Sequence, residues 1–157
     1  MSLRPNPDDV WRSGPTMARI VVHTHGKARE KGYSHLINKY ADRLEGRGVT
    51  LLTHSDRLEH DAYVSKIEDA ASNGTLLLLD ENGDSGDTEW MLENWKAWRL
   101  SNTTIHLAIG PVDGFNAEVI SRHETISLGP LTLTYEMAAV VLLEQLYRSS
   151  ELDRGSP

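Results

Sequence analysis

Two glycine turns in the last third of the chain are the residues best placed to do chemistry. Gly110-Pro111-Val112-Asp113-Gly114 follows the apolar run Ile105–Ile109, and Gly129-Pro130 follows the run Thr125–Leu128. A third turn, acidic and carrying Gly83, follows the run Thr75–Leu79. Glycine at a strand end lets the backbone approach a ligand or take positive φ. In open α/β sheets that edge is where ligands bind. Leu79, Ile109, Leu128, Leu131 and Leu133 surround these turns. Backbone amides with apolar walls suit an adenine-like ring better than a triphosphate. There is no Gly-x-Gly-x-x-Gly, no P-loop and no Gly-x-Ser-x-Gly. The dinucleotide, P-loop and hydrolase-elbow readings therefore lose their main support.

Other reactive side chains give less. The 157 residues include no cysteine, so thiolate nucleophiles, disulfides and cysteine metal sites are excluded. That agrees with a cytoplasmic protein. His23 and His25 flank a loop, but no further ligand stands at zinc spacing, and both read as surface polar residues. His54, His60 and His123 read as ordinary exposed histidines. His106, inside an apolar run, reads as a hydrogen-bonded core residue. Trp90, Trp95 and Trp98 recur at helical spacing and read as packing rather than base-stacking residues.

The elements that position these turns follow from periodicity. Strands are expected at Ala18–Val22, Val49–Thr53, Thr75–Leu79, Ile105–Ile109 and Thr125–Leu128. Tyr33, Leu36, Ile37, Tyr40, Ala41 and Leu44 mark an amphipathic helix closed by Gly46 or Gly48. Further helices are expected over Arg57–Ser72, Thr88–Arg99, a short stretch before Thr125, and the apolar stretch ending at Arg148. The alternation implies one α/β domain, three layers around a mainly parallel sheet, over residues 17–148. Residues 1–16 read as a disordered leader and residues 149–157 as a frayed tail. No stretch approaches the ~20 apolar residues of a membrane span. The last helix carries two apolar stripes, Tyr135-Ala138-Ala139-Leu142-Leu143-Leu146 and Met137-Val140-Val141. A helix apolar nearly all round is covered on two sides, and a homodimer is the expected second cover.

Net charge is −7, which disfavours a generic nucleic-acid binder. The charge is uneven. Between Met17 and Arg47 seven Lys/Arg face three acids, whereas Asp80–Glu93 holds six acids and no base. Lys27, Arg29 and Lys31, which follow the first strand, are the cations of this basic third best placed to meet a polyanion such as RNA, should one be a partner.

Three segments carry a resemblance: Ala-Ile-Gly-Pro-Val-Asp-Gly-Phe (108–115), Ile-Ser-Leu-Gly-Pro-Leu-Thr-Leu (126–133) and Val-Leu-Leu-Glu-Gln-Leu-Tyr-Arg (141–148). Together they resemble the SPOUT superfamily of S-adenosyl-L-methionine-dependent RNA methyltransferases. Within it they are most similar to the family that methylates N3 of a pseudouridine in large-subunit (23S) ribosomal RNA. Gly26-Lys27-x-Arg29-Glu30-Lys31 and Leu79-Asp80 with Gly83 are similar to that family's first-strand and third-strand loops. The resemblance implies a C-terminal trefoil knot, a homodimer and ribosomal RNA or a ribosomal particle as partner. It also implies S-adenosyl-L-methionine held by Leu79, Gly110, Pro111, Gly129, Pro130, Leu131, Thr132, Leu133 and Thr134. Departures from the family pattern are Pro111 for a second glycine, Thr134-Tyr135 for Pro-His and Ala139 for an Arg. The chain also ends at Arg154-Gly155-Ser156-Pro157 without a Tyr-His-basic ending. No catalytic residue is assigned. An active enzyme and a catalytically impaired dimer that binds the cofactor or RNA are both compatible with these departures.

Overall fold

The computed structural model describes residues 19–155, so the leader expected over residues 1–16 lies outside the described residues. Five strands alternate with five helices: β1 Ile20–His25, α1 Lys31–Glu45, β2 Val49–His54, α2 His60–Ala70, β3 Thr75–Asp84, α3 Thr88–Leu100, β4 Ile105–Ala108, α4 Ala117–Arg122, β5 Glu124–Ile126 and α5 Tyr135–Asp153. All strand pairs are parallel, in the order β2-β1-β4-β3-β5. The expected three-layer α/β architecture is what forms.

Alternate residues of each strand feed two cores. Ile20, Val22, Leu77, Ile105 and Leu107 meet α1, α3 and α5 on one face. Leu78 and Ala108 meet Tyr63, Val64 and Ile67 of α2 and Val119 of α4 on the other. α5 lies against α1 and α3. Its Leu142, Leu143 and Leu146 are fully buried, each worth roughly 1.5–3 kcal/mol in removed apolar surface. Trp95 and Trp98 are buried in the same core, as helical packing predicts.

Several boundaries differ from the periodicity reading, two of them with consequences. β3 does not stop at Leu79. After an irregularity it pairs again through Asp84 with Ile126. Gly83 permits this, because a Cβ there would sit 2.8 Å from the backbone nitrogen of Ile126. The tail expected to fray after Arg148 is helical to Asp153, with Ser149 and Ser150 buried. Side chains hold it: Arg47 reaches Ser150 Oγ at 2.8 Å and Glu151 at 2.7 Å, and Trp95 Nε1 donates to Asp153 at 3.2 Å.

The histidine reading needs a larger correction. β1 runs on to His25, and His23 is fully buried rather than surface-lying. His23 Nδ1 lies 2.8 Å from His54 Nε2, and His23 Nε2 lies 2.8 Å from His106 Nδ1. The three rings form a chain across β2, β1 and β4 that satisfies polar atoms the sheet would otherwise strand. His106 is therefore the hydrogen-bonded core residue expected. His25 packs tilted against Tyr63 at 4.6 Å and contacts the Leu58 carbonyl at 2.8 Å. His123 is not a free surface residue either, since it bonds Glu68 at 2.6 Å.

Burial, then the neighbouring imidazoles of His106 and His54, lower the His23 pKa from 6.5 to about 3. Burial also lowers His54 and His106. The folded chain is thus neutral, and each neutral ring carries one proton. The two contacts then require all three rings to hold it on the same nitrogen, all Nε2 or all Nδ1. Nitrogen-15 spectra should show one tautomer shared by the three rings, and mixed tautomers would contradict the chain. The folded pKa is depressed, so the contribution of these rings is complete above pH 6.5 and is lost as pH falls toward about 3. For His23 alone the loss is on the order of 5 kcal/mol. Denaturant midpoints should therefore fall below pH 6.5, accompanied by net proton uptake on unfolding.

Candidate active site

The irregular stretch of β3 beyond Leu78 and the loops after β4 and β5 meet at the carboxyl edge of the sheet and enclose a cleft of about 370 Å³. Local sequence explains why the chain turns here. Gly114 takes φ +77° and Gly129 φ +132°, conformations that suit glycine. Gly114 N–H donates to the Pro111 carbonyl at 2.7 Å, closing the first turn. In the second, Ser127 Oγ donates to the Gly129 carbonyl at 2.7 Å and accepts from its N–H at 3.0 Å. Three helices begin at this edge under side-chain caps: Asp87 accepts from Trp90 N–H, Asn116 from Val119 N–H and Thr134 from Met137 N–H.

Of the candidate cofactor residues, Leu79, Gly110, Pro111, Gly129, Leu131, Thr132 and Leu133 line the cleft. Pro130 and Thr134 do not. Thr134 caps α5 instead, and Pro130 is exposed. Asp80, Glu81, Phe115, Tyr135 and Ala138, none of them a candidate cofactor residue, also line it. Asp80 and Glu81 adjoin Leu79 directly, and their charge beside a strand end was the available signal. Tyr135 and Ala138 stood out only as part of the apolar stripe of α5, and Phe115 only as the residue that follows the glycine turn, so none pointed to a cleft.

The lip after β5 is tied to the irregular second half of β3. Ser127 N–H donates to the Asp84 carbonyl at 2.7 Å. Thr132 Oγ1 donates to the Glu81 carboxylate. Asp80, Glu81 and Asp113 make the wall anionic, and no Lys, Arg or His is among the described residues lining it. Burial first, then the Glu136 carboxylate, raise the Tyr135 phenol above its ordinary pKa. Tyr135 therefore offers a hydrogen-bond donor at neutral pH rather than a base.

Tyr135 also borders a second cavity of about 200 Å³ between α1 and α5, with Lys27, Asn38, Ile37 and Leu51 among its walls. Lys27 is thus brought near the cleft. Arg29 and Lys31 are exposed beside it, and the Arg29 N–H donates to Glu136 at 2.6 Å. Lys27 and Arg29 sit on the loop that adjoins the start of α5, and Lys31 opens α1 directly after it. Among the described residues no helix is long and apolar enough to cross a membrane.

Curated relatives match along most of the chain. A protein of Prochlorococcus marinus named ribosomal RNA large subunit methyltransferase H is 34% identical over 145 residues, spanning 89% of this chain and 94% of the relative. A protein of that name from Acidovorax ebreus is 39% identical over 94 residues, 59% of this chain and 61% of the relative. Among solved structures, a probable methylase family protein from Haemophilus influenzae superposes with a TM-score of 0.57 at 12% identity, covering 90% of this chain and 69% of the other. That likeness is one of fold. The family model described as a predicted SPOUT methyltransferase matches residues 18–157. The chain belongs to this SPOUT methyltransferase family.

Proposed function

We propose that the chain binds S-adenosyl-L-methionine in the cleft at the ends of β3, β4 and β5 and methylates ribosomal RNA, with N3 of a large-subunit pseudouridine as the target. The observation that carries this reading is the makeup of the cleft: apolar side chains, an open backbone turn at Gly110 and a carboxylate wall. Family membership and the names of the relatives support the activity and an RNA substrate. They favour an active enzyme over a non-catalytic dimer.

The donor set fits the cofactor. Leu79, Ile109, Leu128 and Leu133 supply apolar walls for a purine. The backbone around Gly110 and Gly129 supplies polar groups for its edge. Asp80, Glu81 and Asp113 suit hydroxyls and positive charge, and would repel a triphosphate. When bound, the cofactor supplies an electrophilic methyl group on a sulfonium. The chain's part is to bind, orient and exclude water, which is the larger share of a direct transfer. Pseudouridine N3 must also lose its proton, for which the carboxylates of the cleft wall, Asp80, Glu81 and Asp113, are the acceptors at hand. Tyr135, kept as a phenol, can hold the target through a donated hydrogen bond. Lys27, Arg29 and Lys31 form the edge that receives RNA phosphates, separate from the anionic cleft.

The same reading includes the knot and the dimer. The lip over residues 127–134 is held against the third-strand loop before α5 crosses to the opposite face, a path compatible with a knot. On α5, Met137 remains 36% exposed, with Val140 and Val141 partly buried beside it. This is the stripe the monomer leaves for a second copy.

Calorimetry should show S-adenosyl-L-methionine binding near micromolar, about −7 to −8 kcal/mol. Ribosomal particles lacking the modification should accept a labelled methyl group in single-turnover assays. No heat at millimolar ligand refutes the cleft, and heat without transfer returns the non-catalytic dimer. Reversing the charges of Lys27, Arg29 and Lys31 should weaken particle binding and flatten its salt slope by about one unit per lost phosphate contact. Equal binding by wild type and triple variant at low salt would remove the proposed edge. Wild type should sediment as a dimer at micromolar concentration. Val141→Asp, which would bury an unpaired carboxylate, should dissociate it at a cost of several kcal/mol, on the order of 3–5.

A further inference from the structure

The first turn of α2 grips the cofactor turn at both ends. Fully buried Tyr63 donates its hydroxyl hydrogen to the Ile109 carbonyl at 2.6 Å. His60, one turn earlier, accepts the Asn116 N–H on Nε2 at 3.1 Å. Between these anchors Phe115 lies parallel to Tyr63 at 6.2 Å and edge-on to His60 at 6.3 Å. Ile109, Gly110 and Phe115 all line the cleft. Two residues at i and i+3 of one helix thus fix the entry and exit of a single loop.

His60 has a defined protonation state in this arrangement. Its Nδ1 lies 2.8 Å from Asp61 Oδ1, a carboxylate that only accepts. Its Nε2 accepts from a backbone N–H. Only the neutral ring protonated on Nδ1 satisfies both contacts. A proton on Nε2 would set one N–H against another and remove the loop's anchor at Asn116. Asp61 is on the surface, its side chain 93% exposed, against 25% for His60. The groups that contact His60 are Asp61 on its own helix and Phe115 and Asn116 on the loop; Asp61 in turn interacts electrostatically with Arg122 on α4. His25 and His54 face Tyr63.

We propose that His60 and Tyr63 are positioning residues for the cofactor turn, and that protonation of His60 releases the turn so that cofactor affinity falls on acidification. The inference rests on the cleft being the S-adenosyl-L-methionine site. It adds a pH response set by a residue outside the cleft.

The test measures S-adenosyl-L-methionine affinity by calorimetry at about pH 8 and about pH 5. Wild type, His60→Gln, His60→Ala and Tyr63→Phe are compared, with a melting curve for each at both values. Wild type should bind about three- to tenfold more weakly at the acid value, the worth of one hydrogen bond. Glutamine accepts the Asn116 N–H at any pH, so His60→Gln should stay tight with a flat profile. His60→Ala should be weak and flat. Tyr63→Phe should be weaker at both values yet keep the wild-type slope.

A second readout uses the ligand-free protein. The Asn116 amide resonance should titrate in wild type and stop titrating in His60→Gln. A wild-type slope that survives in His60→Gln, or His60→Ala binding as tightly as wild type at about pH 8, overturns the inference. An Asn116 amide indifferent to pH overturns it without reference to any ligand. Absence of binding by wild type at about pH 8 overturns the cofactor reading together with this one, whereas normal binding with the wrong pH pattern overturns this one alone.

Discussion

The close approach of β5 to the far end of β3 is the constraint on which the cleft depends. At Gly83 the two backbones are near enough that a single Cβ would meet the β5 main chain at 2.8 Å. Because nothing projects there, Asp84 can pair with Ile126 and accept the Ser127 N–H. The lip that follows is then close enough for Thr132 to reach Glu81. Without that approach the β5 loop would stand away from the second half of β3, and no walled space would exist between Leu79 and Leu133. A larger residue at position 83 would act on the cleft by spreading two strands, without touching anything bound there.

Charge is sorted over a short distance. The cleft wall is anionic, while the loop after β1 beside it is cationic. Tyr135 stands at the division and borders both cavities. A chain of net charge −7 can meet a polyanion through such an edge, because screening confines the interaction to roughly the Debye length of about 8 Å. Whole-molecule charge is then a poor guide to which face approaches RNA.

What the sequence made legible were features carried by neighbours in the chain. Leu79, Gly110 and Gly129 could be placed because a strand ending in glycine announces its own edge, and the edges of β3, β4 and β5 coincide. The Ala139–Leu146 stripe of α5 was visible at helical spacing, and it is the face that packs against α1 and α3. The histidine chain was not visible. His23 finds its partners 31 and 83 positions away, and alternation along a strand reveals a face but no cross-strand pairing. The end of α5 was missed for a similar reason. Ser149, Ser150 and Glu151 read as a polar fray until Arg47 and Trp95 supply distant anchors. The roles of His60 and Tyr63 were hidden too, since they depend on a loop about fifty residues downstream.

The burial of α5 between α1 and α3 bears on how the polypeptide is made. Ala139, Leu142, Leu143 and Leu146 complete a core whose other walls, Ile20, Val22, Ile37 and Trp95, come from much earlier in the chain. During vectorial synthesis those walls leave the ribosome with no cover. Contacts of such long sequence separation form slowly, after a large loop-closure cost. Apolar surface on this side of the sheet therefore stays open to holding chaperones until the last helix has cleared the exit tunnel, and the other face, closed by α2 and α4, is the one able to consolidate first.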